Sequence, residues 1–362
     1  MRATFAAAVF QLLTLPALAQ TAAPAARAPA VLTLTGRIPL ARVRGRMDHV
    51  SVDVSGRRLF AAAFDNHTLE VIDLAAGRQV RTLELDEPQQ SYFVPSVNRL
   101  FVASSGDGTV KIFDGSTFAL VRTVHLSSDA DNMRYDAVRK HVLVDYGGEK
   151  YLFGTVSARN GEKDGAVAVM DLKGSIVGRI HIGGHPEALQ LEQKTGDRVF
   201  INDPDKHEIV VADLSRYKVL ARWRAGCENY PMALDEAHHR LFIFCRDHGY
   251  VAVFDTGSGR KVASVRATPG ASSDDMFWDS SKSRLYVLAR MLVHGKSPHI
   301  AGPGVVDVIH EEDPDHYRLI ATSTTGFGAQ TGMFVPDWGK LFVAARRQPN
   351  GQSAEILEYD TR

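Results

Sequence analysis

Seven times along this chain a basic residue opens a short apolar run: RLFAAA at Arg58, RLFVAS at Arg99, KHVLVD at Lys140, RVFIND at Arg198, RLFIFC at Arg240, RLYVLA at Arg284 and KLFVAA at Lys340. The intervals are 41, 41, 58, 42, 44 and 56 residues. A second mark, an apolar run ending in aspartate, recurs at Asp73, Asp114, Asp171, Asp213, Asp255, Asp307 and Asp360, with intervals of 41, 57, 42, 42, 52 and 53. Two independent marks sharing one period near 42 residues require a stack or ring of like units.

The first unit shows what each contains. HVSVD, RLFAAA, TLEVID and VRTLEL read as four strands, separated by SG, FDNH and AAGR. Val, Ile, Leu and Phe fill the strands. Gly, Asn, Asp and Ser stand at the turns, where they accept positive φ or bond their own backbone. Seven such units predict an all-β, seven-bladed β-propeller of four-stranded blades. The last unit stops at Asp360 after its third strand, while VLTLTGRIPL (residues 31–40) precedes the first unit without a unit of its own. This spare strand is expected to complete the seventh blade and close the ring, removing an open sheet edge.

The segment LFAAAFDNHTLEVIDLAAGRQVRTLEL, residues 59–85, resembles the YVTN-type β-propeller repeat of secreted bacterial and archaeal proteins, and residues 199–222 and 241–265 follow it more loosely. The resemblance covers the architecture of residues 31–362. It implies a propeller and leaves function open, because propellers of this kind include sugar-lactone hydrolases, relatives of quinoprotein dehydrogenases and surface-layer proteins.

Residues 1–19 read as a cleaved signal peptide: Arg2, an apolar run from Phe5 to Leu15, then Pro16 and Ala17-Leu18-Ala19, with the cut after Ala19. Residues 20–30, rich in Ala and Pro, read as a flexible leader. The expected location is periplasmic or secreted. No later apolar run is long enough for a transmembrane anchor. Lys plus Arg and Asp plus Glu both number 42, a balance that argues against a general nucleic-acid partner. The expected partner is a small molecule or an envelope protein, met by a monomer.

In a propeller the residues entering each innermost strand face the central funnel. Here they are Asp48 and His49; Gln90; Asp131 and Asn132; His185 and Glu187; Asn229; Asp274 and Asp275; and Gln330. Each blade thus offers a polar group to a ligand, and the same groups could equally cap strands or hold channel water. His49, His185, Glu187 and Asp274 would suit a mixed nitrogen–oxygen divalent cation site, with one ligand arriving per blade. Long loops at 146–165 and 290–304 carry Tyr146, Tyr151, Phe153, Arg290, His294 and His299 to the same face. Cys227 and Cys245 flank one hairpin. They form a disulfide, if the chain is exported, or remain two buried thiols.

There is no CxxCH for haem, no nucleotide-binding glycine loop, no HExxH and no GxSxG. The expected function is therefore binding of a small polar ligand or protein at the funnel without turnover. The alternatives are a lactonase-like hydrolase or lyase using a funnel cation, and an accessory protein of a periplasmic redox or metal pathway.

Overall fold

The computed structural model describes residues 30–148, 150–152, 155–157, 164–194, 196–292 and 301–361. The signal segment 1–19, the leader as far as residue 29, much of the 146–165 loop and residues 293–300 lie outside the described residues, and Phe153, His294 and His299 with them. Residues 31–361 form a seven-bladed propeller. Each blade is a four-stranded antiparallel sheet with its strands, here a to d, in chain order from the ring axis outward. Blade one, for instance, consists of Val50–Asp53, Arg58–Ala63, Thr68–Asp73 and Arg78–Glu84.

Blade seven is built from both chain ends. Thr331–Val335, Lys340–Ala345 and Ala354–Thr361 supply strands a to c, and Leu32–Leu40 supplies strand d. The closing strand runs antiparallel to strand c, with Leu32 opposite Thr361 and Leu40 opposite Ala354. Ile38 and Leu40 then enter the core between blades seven and one beside Leu59, Phe342 and Ile356.

Position in the blade explains the residue pattern. Strand b is covered by a neighbouring blade on each face, so RLFAAA is buried from its second residue onward. Strand d lies at the rim, and KVLARWR alternates half-buried and exposed. The apolar interior is thus distributed between neighbouring blades, as where Phe60, Leu69 and Val71 meet Leu100 and Val102.

The repeating aspartate is a turn cap. Asp114 accepts the amides of Ser116 and Thr117, Asp213 those of Ser215 and Arg216, and Asp255 that of Ser258. Backbone donors that would otherwise go unpaired are satisfied at these c–d turns. Two sequence marks need correction. In blade three Lys140 is the left-handed turn residue, and His141 occupies the place of Arg58, opposite Asp171. In blade six the place opposite Arg284 belongs to His310, while Asp307 lies mid-strand opposite Val287 and accepts bonds from Thr268 and Thr322. The extra strand residues of this blade shift the apparent aspartate mark.

Candidate functional site

The residues entering the a strands are held in place by backbone bonds to the ends of the b strands. Asp48 N donates to Ala62 O, Asp131 N to Asp145 O and Glu187 N to Asn202 O, while His49 N reaches Gln89 O of the next blade. Their side chains are thereby fixed around the ring axis.

His49 is the hub. Its Nδ1 lies 3.0 Å from Asp275 Oδ1, contributed by blade six. Its Nε2 lies 3.7 Å from Asp48 Oδ1 and 3.9 Å from Asp131 Oδ1. Burial opposes charging this imidazole, but Asp275, Asp48 and Asp131 outweigh it and raise the pKa well above the usual histidine value. The surrounding carboxylates thus favour the charged form of the His49 ring. Asp275 is anchored a second time by Gly332 N of blade seven at 2.9 Å. Asn132 Nδ2 lies 3.4 Å from His49 Nε2 and donates to Glu187 O at 2.6 Å.

A second group forms around His185. Its Nδ1 bonds Gly147 O at 2.9 Å, and its Nε2 is 3.1 Å from Glu187 Oε2 and 3.9 Å from Asp129 Oδ2. Asp274 belongs to a third group. It takes Arg246 as its ion-pair partner and Gln330 as a donor, and Arg246 holds its carboxyl below the ordinary range despite burial. His49, His185, Glu187 and Asp274 thus stand in three groups and do not make the single cation set expected from sequence. Among the described residues the ligand spacing for a metal occurs elsewhere, at Asp235, His238 and Glu311.

Two other expected funnel residues turn away from the axis. Gln90 accepts from Met133 N and Arg134 Nη1, bracing blade two against blade three. Asn229 is fully buried and donates to Asn202 Oδ1 at 2.7 Å and Glu208 O at 2.8 Å, bracing blade five against blade four. Cys227 and Cys245 are joined as a disulfide beside it, with Cα atoms 5.4 Å apart. A shallow polar cleft lies nearby, lined by Pro204, Asp205, His207, Glu228 and Tyr230.

Of the arginines here, the sequence reading expected Arg290 alone, as a loop residue, whereas it lies in the strand Arg284–Leu292; Arg46, Arg246 and Arg346 were passed over. Arg246, Arg290 and Arg346 each stand six residues after the basic residue that opens strand b in blades five, six and seven. The same position holds Phe64, Ser105, Tyr146 and Pro204 in blades one to four, counting from the basic marks. Extending the seven strand-b motifs by one residue would have revealed the triple. Arg46 joins them from the loop entering blade one. Its guanidinium stacks on the Phe64 ring at 3.7 Å, as that of Arg246 does on Tyr230 at 3.2 Å. Arg46 also bonds Asp48 Oδ2 at 2.9 Å and Gln89 Oε1 at 3.1 Å.

The four guanidiniums share one electrostatic neighbourhood. Burial first, then Arg290 and Arg46, pull the Arg346 pKa down to about 10. Burial likewise lowers that of Arg290, with Arg246 and Arg46 adding to the effect and Asp274 opposing it. Arg346 Nε and Nη2 and the Nε atoms of Arg46, Arg246 and Arg290 are enclosed and have no hydrogen-bond partner. Among the described residues Arg290 and Arg346 form no ion pair. The funnel is therefore divided. One sector is acidic and internally bonded through His49 and His185, and the other carries cationic donors in excess of the acids beside them.

No protein-family model matches the chain, and no curated protein matches it. Among solved structures it is similar to Kuenenia stuttgartiensis hydrazine synthase, with a TM-score of 0.59 and 15% identity over 74% of this chain and 84% of that one. At that identity the likeness is one of fold.

Proposed function

We propose that this propeller binds a small anionic ligand, bearing a carboxylate or a phosphate group, at the arginine sector of its funnel, and does so without turning it over. The observation that carries this reading is the pair of guanidiniums, Arg290 and Arg346, gathered beside Arg46 and Arg246 with enclosed N–H donors unmatched by protein acceptors. Bringing like charges together in a partly dehydrated site costs free energy that an anion recovers, and a guanidinium fork matches planar or tetrahedral oxyanions. The residues suited to acid–base work are engaged with one another, with His49 held by three carboxylates. The N-terminal segment supports a setting in the periplasm or outside the cell, where a polar solute is the natural occupant. A cation-dependent lactone hydrolase draws less support, because His49, His185, Glu187 and Asp274 occupy three separate groups and do not gather as a ligand set.

The test is thermal melting in inorganic phosphate, succinate and citrate, against chloride at matched ionic strength. Binding stabilises the native state by mass action, by about 2.7 kcal/mol at a hundred times Kd, and so raises the melting temperature. At least one oxyanion should stabilise the protein beyond chloride, and Arg290→Gln with Arg346→Gln should abolish the gain. Equal melting in all salts, or a gain that survives both substitutions, removes the proposal.

A further inference from the structure

On the opposite face from the funnel, the a–b turns of blades one, three, four and six repeat a simple electrostatic device, while strand a of blades two and seven ends in Val94 and Val335. An acid at the end of strand a turns inward and is neutralised by a permanent cation. Asp53 takes Arg58, Asp136 takes Arg139, Glu192 takes Arg198 and Asp279 takes Lys282. Blade five departs from this. Its turn acid, Asp235, is buried, but the residue three positions on is His238. Arg240, the counterpart of Arg58, is directed to Asp255 and Asp315 instead.

Blade six departs at the same place. The residue after the repeating strand-c position bonds the turn preceding strand b, as Leu74 N bonds Arg57 O, Thr256 N bonds His239 O and Thr361 N bonds Gly339 O. The equivalent residue in blade six, by the bond from its N to Ser283 O, is Glu311. In the other blades this position holds Leu74, Gly115, Leu172, Leu214, Thr256 and Thr361, none of them charged. The Glu311 side chain is only 3% exposed, so a second carboxylate has been brought into the interior beside Asp235.

One imidazole serves both. His238 Nδ1 lies 2.6 Å from Asp235 Oδ2 and 3.0 Å from Glu311 Oε1. Glu311 Oε2 is enclosed and receives no hydrogen bond. The neighbouring Tyr317 hydroxyl also reaches Glu311, but it has a single proton and bonds Pro314 O at 2.6 Å. Two buried carboxylates therefore face one imidazole, with an oxygen left over.

We propose that Asp235, His238 and Glu311 form a binding site for a divalent transition-metal ion of the zinc class, clipping the a–b turn of blade five to strand c of blade six. One atom from each of the three can lie within 4.8 Å of the others, as a shared ion requires. Two carboxylates and a neutral imidazole offset a divalent charge, leaving the buried group neutral. The imidazole favours zinc and its transition-metal neighbours over calcium or magnesium, which prefer all-oxygen ligands. The His238 side chain is 48% exposed, which gives the ion an entry path and room for water as a further ligand. The site lies apart from the funnel and does not depend on the anion proposal.

The test uses untagged protein, stripped with a chelator, dialysed and titrated with Zn²⁺ and separately with Co²⁺. Expected are uptake of one equivalent of Zn²⁺, a higher melting temperature, and visible d–d absorption with Co²⁺ from a nitrogen–oxygen ligand set. Glu311→Thr, which installs the residue found in blades five and seven, should weaken uptake by at least about tenfold, as should His238→Ala on the exposed side. Circular dichroism and melting in chelator verify that the variants fold, and Arg346→Met should leave uptake unchanged. Absence of uptake by the stripped wild-type protein, or uptake undiminished in both folded site variants, overturns the proposal.

Discussion

Replacing Arg346 with Met should make the ligand-free protein more stable while removing its response to anions. The guanidinium is partly enclosed, and burial, with Arg290 and Arg46 nearby, pulls its pKa down to about 10. At 1.36 kcal/mol per pKa unit the drop is worth about 3 kcal/mol. Solvent reaching the guanidinium screens this, so about 1–2 kcal/mol is the expected gain on removing the charge. For a domain of this size that corresponds to roughly 2–4 °C in melting temperature. The sign follows from linkage. A folded-state pKa below the unfolded one disfavours the charged native form, and the penalty is fully present at every pH below about 10, including neutrality. It relaxes only as pH rises from there toward the unfolded value. The assay is melting at pH 7 in low salt, with and without phosphate, for wild type and variant. Added chloride should narrow the gap between them by screening the repulsion. A variant that melts lower than wild type, or one that keeps the full phosphate gain, would refute the reasoning that this charge is held in reserve for a ligand.

Three further outcomes can be checked independently. Leu40→Ala removes a fully buried side chain from the closing strand and should cost about 2–5 kcal/mol, and deletion of residues 31–40 should lower the melting of the whole ring rather than of one blade. Asp203, fully buried with no hydrogen bond to Oδ2 and Lys206 Nζ 3.9 Å from it, has its pKa raised to about 6, chiefly by burial. Its burden is absent below pH 4 and grows as pH rises to 6, so Asp203→Asn should add about 2–3 kcal/mol at pH 7 and little at pH 4 in chemical denaturation. Reduction of the Cys227–Cys245 bridge, 18 residues apart, should lower stability by about 3 kcal/mol, read as a shift of the urea midpoint, and thiol labelling of the unreduced protein should find no free sulfur.

The architecture was legible because it is repetitive. Strand b is largely apolar beyond its first residue, since both its faces are covered, and the aspartate at the end of strand c recurs because the c–d turns of blades one to five need the same acceptor. Even the closing strand could be located, as a unit lacking its last strand and a strand lacking its unit. The funnel was legible only in part. The residues entering the a strands do surround the axis, and His49, Asp275, Asp131 and Asn132 do meet. But which of them bond one another depends on lateral placements between blades, and sequence separation carries no trace of these: His49 and Asp275 are 226 residues apart. Gln90 and Asn229 were misplaced for the same reason, since an amide at a strand entrance can turn to a neighbouring blade as readily as to the axis.

A ring of like blades has a further consequence. Whatever all seven share must serve the fold, because a ligand at the axis needs only one set of groups and a turn in every blade needs its own. The strand-b cations and the strand-c aspartates recur in most blades, with His141 and His310 as the exceptions, and they resolve into caps and ion pairs at the turns. Chemistry specific to this chain should then stand where blades differ at equivalent positions. The arginines at the ends of strand b are confined to three adjacent blades, so their charge accumulates on one side of the funnel instead of being spread evenly around it. Glu311 is likewise a single charged residue in a column otherwise filled by Leu, Gly and Thr, and it arrives where the next blade has exchanged a permanent cation for histidine. Each departure leaves buried polar atoms that the fold itself does not satisfy. Unsatisfied atoms such as Asp203 Oδ2 also occur where the repeat is unbroken, so it is the coincidence of an unsatisfied group with a break in the repeat that points to a partner from outside the chain.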